Sequence, residues 1–316
     1  MGTELHGYES CIEAFFGGRP YALVPIGGGV SYDIKVKACC DGAEYIIKVI
    51  EGNSGKADGN PKRLAWYEAL RTIRDTDHRV LAPVWCGWTN GHVVTITEWV
   101  HGEQLNNLFD QCPGLMSQYG ERVGKILYLL HHQNFVTQQI SIMGVDVRAK
   151  TASAVSRLKG DIERYGIDFY GMENAIAYLD SHAGLVSADR AGIVHNDVRP
   201  ENFIRRGGEL FIYDFDSGDI SDCFADFTYL TAISQERYRP FSCSVINSYF
   251  DGQVPAEFWD VNLYFSVMKL LDYAVYKYRR KGRRIVNQAN AFMSMFADYK
   301  NPIPAWWRGE GPTNPL

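Results

Sequence analysis

The stretch IVHNDVRPENFIRRGGELFIYDFD, residues 193–216, gathers one histidine, three aspartates and two asparagines around a short apolar pattern. FIRR and ELFIYD are strand-like runs separated by Gly207-Gly208, whose glycines can supply the positive φ of a two-residue hairpin turn. With that turn Arg206 faces Glu209, and counting back sets Asn202 opposite Tyr213. Asn202 and Asp214 then lie about one residue apart across the ladder, despite their separation in sequence. An amide oxygen and a carboxylate so placed are hard oxygen ligands suited to Mg²⁺, which keeps few protein ligands beside substrate phosphates. Asp216 extends the set. Asp197, in the loop that enters the hairpin, can accept the proton of an attacking hydroxyl while the metal holds a nucleotide's phosphates. His195 is expected to be structural, hydrogen-bonded to local backbone.

The elements that must position these residues fall into two groups. The first hundred residues are strand-rich: YALVPI, SYDIKVKA, EYIIKVI, VLAPVWCGWT and HVVTITEWV form an antiparallel sheet, with turns at Asp41-Gly42 and Asn90-Gly91. RLAWYEALRTI, residues 63–73, interrupts them with helical spacing. After His101-Gly102 helices take over, at 115–131, 170–184 and from Pro255 to about Lys281. The fold class is therefore α+β, with an N-terminal lobe over 1–100, a connector near 98–102 and a larger helical lobe over 101–316 that contains the hairpin.

The 316 residues, 46% of them hydrophobic, can bury a large core. A net charge of −5 gives no global attraction to nucleic acid or anionic membrane, and the basic run KYRRKGRR at 277–284 is expected to be a solvated helix end. Seven cysteines without a C-x-x-C spacing suggest neither a disulfide framework nor a zinc site and suit a reducing cytoplasm. No stretch reaches the roughly 18 apolar residues that a membrane span needs. No nucleic-acid or membrane partner is expected.

H-N-D-V-R-P-E-N followed by Y-D-F-D resembles the catalytic and metal-binding segments of the protein-kinase-like superfamily, in particular its aminoglycoside phosphotransferase and choline kinase branch. The resemblance implies a two-lobed kinase-like fold, with Asp197 as catalytic base, Asn202 and Asp214 as Mg²⁺ ligands and Asp216 as a second acidic position. It further implies that Lys48 in EYIIKVI holds the α- and β-phosphates of ATP or GTP and that Glu68 orients it. Gly28, Gly29 and Ser31 match the family's short phosphate loop, and Glu98, Trp99 and Val100 the hinge whose backbone meets the base. Asp226 matches a structural aspartate. Arg199 stands where Ser/Thr protein kinases place a phosphate-contacting lysine.

No A-P-E motif follows Asp214, and Asp226 comes too soon after it to leave room for a segment that docks a peptide. The expected acceptor is a small hydroxyl compound. A cationic one such as an aminoglycoside could be met by Asp219, Asp222, Glu236, Glu257, Asp260 and Asp272 together with Trp259, Trp306 and Trp307. Choline, an amino alcohol or an amino acid is the metabolic alternative, and a nucleotide-binding protein without turnover is the non-enzymatic one.

Overall fold

A computed structural model of the chain describes residues 5, 7–26, 34–50, 60–132, 144–233, 235–281, 296 and 299–309. In chain order its elements are α1 (Glu9–Phe16), β1 (Ala22–Pro25), β2 (Ile34–Cys40), β3 (Ala43–Ile50), α2 (Asn60–Thr76), β4 (Trp85–Thr89), β5 (His92–Glu98) and β6 (Glu103–Gln104). There follow α3 (Leu105–Gln111), α4 (Met116–His131), α5 (Val147–Tyr165), α6 (Met172–His182), β7 (Ala191–Val194), β8 (Phe203–Arg206), β9 (Glu209–Ile212), β10 (Asp219–Asp222), α7 (Gln235–Tyr249) and α8 (Ala256–Lys281). Contacts divide the chain into two compact units, Met1–Asn107 with Glu201–Asp214 and Leu108–Pro200 with Phe215–Leu316. No helix among the described residues is long and apolar enough to cross a membrane.

The first unit holds a five-stranded sheet in the order β1-β2-β3-β5-β4, every pairing antiparallel. Its two tight turns form as the sequence demands: Asp41 and Gly42, then Asn90 and Gly91, all take positive φ, matching the right-handed twist of the flanking strands. Strand alternation sends Val36, Ala38, Ile47, Val49, Val94 and Ile96 to one face, where they pack with Ile12 and Phe16 of α1. Helix α2 buries Trp66, Tyr67, Leu70 and Ile73.

The β8–β9 hairpin has the register counted from sequence, with Arg206 opposite Glu209 and Phe203 opposite Ile212. It groups with the first unit rather than with the helices, because β8 pairs with β6 and Ile212 exchanges backbone hydrogen bonds with Arg79 and Leu81 at 2.9 Å each.

In the second unit, α4 carries the expected apolar stripe of Tyr119, Val123, Ile126, Leu127 and Leu130. It lies so close to α7 that a Cβ at Gly120 would stand 2.6 Å from the Phe241 carbonyl oxygen and one at Gly124 2.5 Å from that of Val245. Helix α8 is buried almost all round and packs against α5 and α6. Four helices beyond those expected appear among the described residues. Helices α1 and α3 are short. Helix α5 carries legible signals, with Asp146 accepting from the Arg148 and Ala149 N–H groups and Gly166 ending it at φ 56°. Helix α7 is masked in sequence by Pro240 and kinks at Tyr238.

Candidate active site

In the first unit Lys48 sits in the middle of β3, between Lys35 of β2 and Thr95 of β5, with its side chain only 10% exposed. Its ammonium stands 4.0 Å from Oδ1 of Asp214, at the end of the β8–β9 hairpin. The carbonyl of Asn202 accepts from the Tyr213 N–H at 3.1 Å, so Asp214 directly follows the residue opposite Asn202, as hairpin counting predicts. Asn202 is buried and Asp214 exposed. Asp214 adopts φ 65°, a left-handed conformation that is strained for a non-glycine residue and is held by its surroundings. One device was missed from sequence: the Tyr213 hydroxyl donates to the Glu201 carbonyl at 2.6 Å, while the Gln104 amide donates to that carbonyl at 3.1 Å and to the Tyr213 hydroxyl. This closes the mouth of the hairpin, and nothing local in sequence announces a contact between β6 and residues 201–213.

Glu68 is not brought to Lys48. It lies on the exposed side of α2, since Trp66, Leu70 and Ile73 turn inward. Burial first, and then the charge of Glu68, push the Cys86 thiol on β4 up to about 11. At the hinge, the Glu98 carboxylate pairs with Arg74 of α2 at 2.7 Å. The Trp99 N–H donates to the Glu44 carbonyl at 2.9 Å, and its ring lies 4.9 Å under the Lys37 ammonium. Only Val100 keeps a backbone that makes no hydrogen bond to another described residue. Gly28, Gly29 and Ser31 lie outside the described residues.

In the second unit β7 pairs with β10 and runs into the loop that carries Asp197. That loop is clamped by Asp226, which is buried and accepts from the backbone N–H of His195 at 2.9 Å, from that of Asn196 at 2.5 Å and from His131 Nε2 at 2.9 Å. The other nitrogen of His131 meets the Tyr249 hydroxyl at 2.9 Å. Burial opposes charge on His131, but Cys223, Tyr249 and Asp226 outweigh it and hold its pKa well above the ordinary histidine value. Asn196 sits at φ 61°, and its amide donates to the Ser217 carbonyl at 3.0 Å. His195 is fully buried against Phe215.

The clamp delivers Asp197 with its side chain 16% exposed, next to Arg199 Nε at 3.2 Å. The Tyr229 hydroxyl donates to the same carboxylate; burial and then the charge of Asp197 push that tyrosine up to about 12. Arg199 therefore contacts the expected base. Tyr229, at the start of a π-helical turn over Tyr229–Ile233, is a site residue that sequence analysis missed. Asp216 lies half-buried in a single 3-10 turn, Phe215–Ser217.

Three of the acidic residues proposed for a cationic acceptor are paired with cations elsewhere. Asp222 is buried against Arg190, which also holds Glu257, while Asp219 pairs with Lys150 and Asp260 acts on Tyr178. Asp272 is exposed, and the Glu236 side chain lies outside the described residues. Trp259 and Trp306 are buried and Trp307 packs against both, with the Trp306 indole donating to the Thr231 carbonyl at 2.9 Å.

The sequence pattern of the phosphotransferase enzyme family, APH, matches residues 23–258. The chain belongs to this family. It is accordingly a phosphotransferase with a small-molecule hydroxyl acceptor. Comparison with curated proteins gives no match. Among solved structures, the gentamicin complex of APH(2")-IIa is 18% identical, covers 94% of this chain and 98% of its own, and superposes with a TM-score of 0.64. A choline/ethanolamine kinase family protein from Mesorhizobium loti is 14% identical over 93% of this chain and 97% of its own, with a TM-score of 0.62. The GDP complex of an aminoglycoside 2'-phosphotransferase IIIa variant is 15% identical over 92% and 97%, also with a TM-score of 0.62. At these identities the likeness establishes the protein-kinase-like α+β fold.

Proposed function

We propose that the protein transfers the γ-phosphate of ATP or GTP to a hydroxyl of a small molecule in a Mg²⁺-dependent reaction. The Lys48–Asp214 pair carries this proposal, because it joins a mid-sheet lysine and a hairpin carboxylate from distant parts of the chain in the arrangement that holding a nucleotide's phosphates requires. Asn202 and Asp214 fit Mg²⁺: an amide and an accessible carboxylate leave coordination positions for water and phosphate oxygens. Among the described residues no group of three or more His, Cys, Asp or Glu would hold a metal without such help. When bound, the ion would neutralise charge on the β- and γ-phosphates. Val100 offers backbone groups to the nucleotide base, as Gly28, Gly29 and Ser31 would offer theirs to the phosphates. Asp216 is kept as a further metal ligand on its sequence match alone.

Asp197 acts as base. The acceptor oxygen bonds to the γ-phosphorus, the bond from that phosphorus to its bridging oxygen breaks, nucleoside diphosphate leaves, and the hydroxyl proton passes to the Asp197 carboxylate. The Asp226 clamp holds the loop so that this carboxylate needs no rearrangement. Residues between Asp214 and Asp226 are taken up by two 3-10 turns and β10, which favours a small acceptor over a protein. Gentamicin and streptomycin complexes of structural neighbours support an aminoglycoside-like acceptor. The pairing of Asp219, Asp222 and Glu257 with Lys150 and Arg190 weighs against a polycationic acceptor and keeps the second, metabolic acceptor class in view. The seven cysteines, all free, suit a cytoplasmic enzyme.

A coupled assay of nucleoside diphosphate release tests the proposal, with ATP and GTP side by side against aminoglycosides, choline, amino alcohols, amino acids and a generic protein. Turnover is expected with a small hydroxyl compound and none with the protein. Silence across the panel would favour a nucleotide-binding protein without turnover.

A further inference from the structure

We propose that the acceptor carries a negatively charged group, a carboxylate or a phosphate, held by Lys269 and Arg199 while its hydroxyl meets Asp197. This rests on Asp197 being the base of the proposed reaction.

Every residue involved belongs to the second unit. The ring of Tyr229 organises them. Its hydroxyl is bound to Asp197, the Arg199 guanidinium lies 5.7 Å from its centroid, and the Lys269 ammonium of α8 lies 5.5 Å from it. Two cations and one carboxylate thus surround a single aromatic ring. Lys269 is half-buried and has no carboxylate at ion-pair distance among the described residues. Four other cations of the same unit do have carboxylate partners: Lys150 with Asp219, Lys159 with Asp180, Arg190 with Asp222 and Glu257, and Arg237 with Asp110. Lys277 of α8, like Lys269, lies over a ring instead, that of Tyr273, but it is Lys269 that shares its ring with the partners of Asp197. Among the described residues the ion pair of Arg199 is with Asp197.

Around the Tyr229 ring two cations therefore meet one carboxylate before any acceptor arrives. A cationic acceptor would bring its hydroxyl to Asp197 against both Arg199 and Lys269, whereas an anionic one completes the pairing that Lys269 lacks. Such an anion also fixes the molecule at a second point, which orients the hydroxyl for transfer. The Tyr229 ring alone satisfies Lys269 only weakly, since a cation over an aromatic face is a smaller interaction than a charge-assisted hydrogen bond.

Four small hydroxyl compounds that differ in charge test this by calorimetric titration of the full-length protein: glycerate, glycerol 3-phosphate, glycerol and choline. At least one of the two anions is expected to bind more tightly than glycerol or choline. Lys269→Met should weaken that binding about tenfold or more, as for a lost hydrogen bond to a charged group, and Lys269→Arg should restore most of it. Binding of glycerate alone assigns a carboxylate, and of glycerol 3-phosphate alone a phosphate. Tighter binding of choline than of either anion, or no effect of Lys269→Met on the anion that binds, would overturn the proposal. So would silence of both anions up to about 20 mM, a weak-binding limit for a charged contact. A raised KM for the nucleotide in Lys269→Met, with anion binding intact, would place Lys269 on the donor phosphates instead. Nucleoside diphosphate release, measured in parallel, separates the two claims. Phosphorylation of choline or an aminoglycoside keeps the kinase and removes the anion site; an anion bound without any acceptor being phosphorylated does the reverse.

Discussion

Asp226→Asn keeps the shape of the buried clamp and removes its charge. The native carboxylate accepts from the His195 and Asn196 N–H groups and from His131, and neither the His131 nor the Asp226 side chain is exposed. An asparagine offers one acceptor oxygen, and its amide hydrogens must confront donors on the other side. One buried N–H then goes unmatched, at about 1–3 kcal/mol, and a buried ion pair is broken, at about 3–5 kcal/mol when the remaining charge has nowhere to go. His131 can release its proton, which reduces the second cost. A net loss of about 3–5 kcal/mol is expected. Urea unfolding followed by tryptophan fluorescence measures it, because Trp259, Trp306 and Trp307 all lie in the second unit. The loop should also lose its set: Asn196 is held at φ 61° next to Asp197, so kcat should fall about 100-fold while the nucleotide KM changes little. A stability loss under about 1 kcal/mol, together with kcat within about twofold of wild type, would refute the clamp.

Asp197→Ala should lower kcat by about 10²- to 10⁴-fold and leave nucleotide binding largely intact, as measured by single-turnover kinetics and nucleotide titration with a defined acceptor. Asp214→Ala should lose the Mg²⁺ dependence of nucleotide affinity; an unchanged affinity at saturating Mg²⁺ would count against its metal role. Stability should decline as pH rises above about 6.5, because the unfolded chain releases the His131 proton there while the folded protein keeps it until well above that value. Below about pH 6.5 both states hold the proton and the contribution is fully present. Urea midpoints from pH 6 to 9 should show the slope in wild type and flatten in His131→Gln. A second decline should open above about pH 10, where unfolded tyrosines ionise while Tyr178, Tyr229 and Tyr249, pushed up to about 12 with burial as the largest cause, stay neutral in the fold. This second decline should persist in His131→Gln.

Local physics made much of the fold legible from sequence. Positive φ at Asp41-Gly42, Asn90-Gly91 and Gly207 follows from residue type, and strand alternation then fixes which side chains share a face. Register arithmetic from one turn was enough to set Asn202 across from Tyr213 and beside Asp214. The stripe on α4 was equally plain. Partner choice among charged groups was not. Glu68 turned to Cys86, Glu98 to Arg74, and Asp222 and Glu257 to Arg190, because each pairing depends on which distant element lies opposite, and spacing along the chain holds no record of that. Gln104 closing the hairpin, Asp226 joining α4 to the loop that carries Asp197, and Tyr229 gathering Asp197, Arg199 and Lys269 are likewise long-range events. The residues proposed for transfer were therefore written largely in one stretch of sequence, while the charges gathered around Asp197 were decided only when α8 came to rest beside Tyr229, since the partner of a lysine depends on long-range packing.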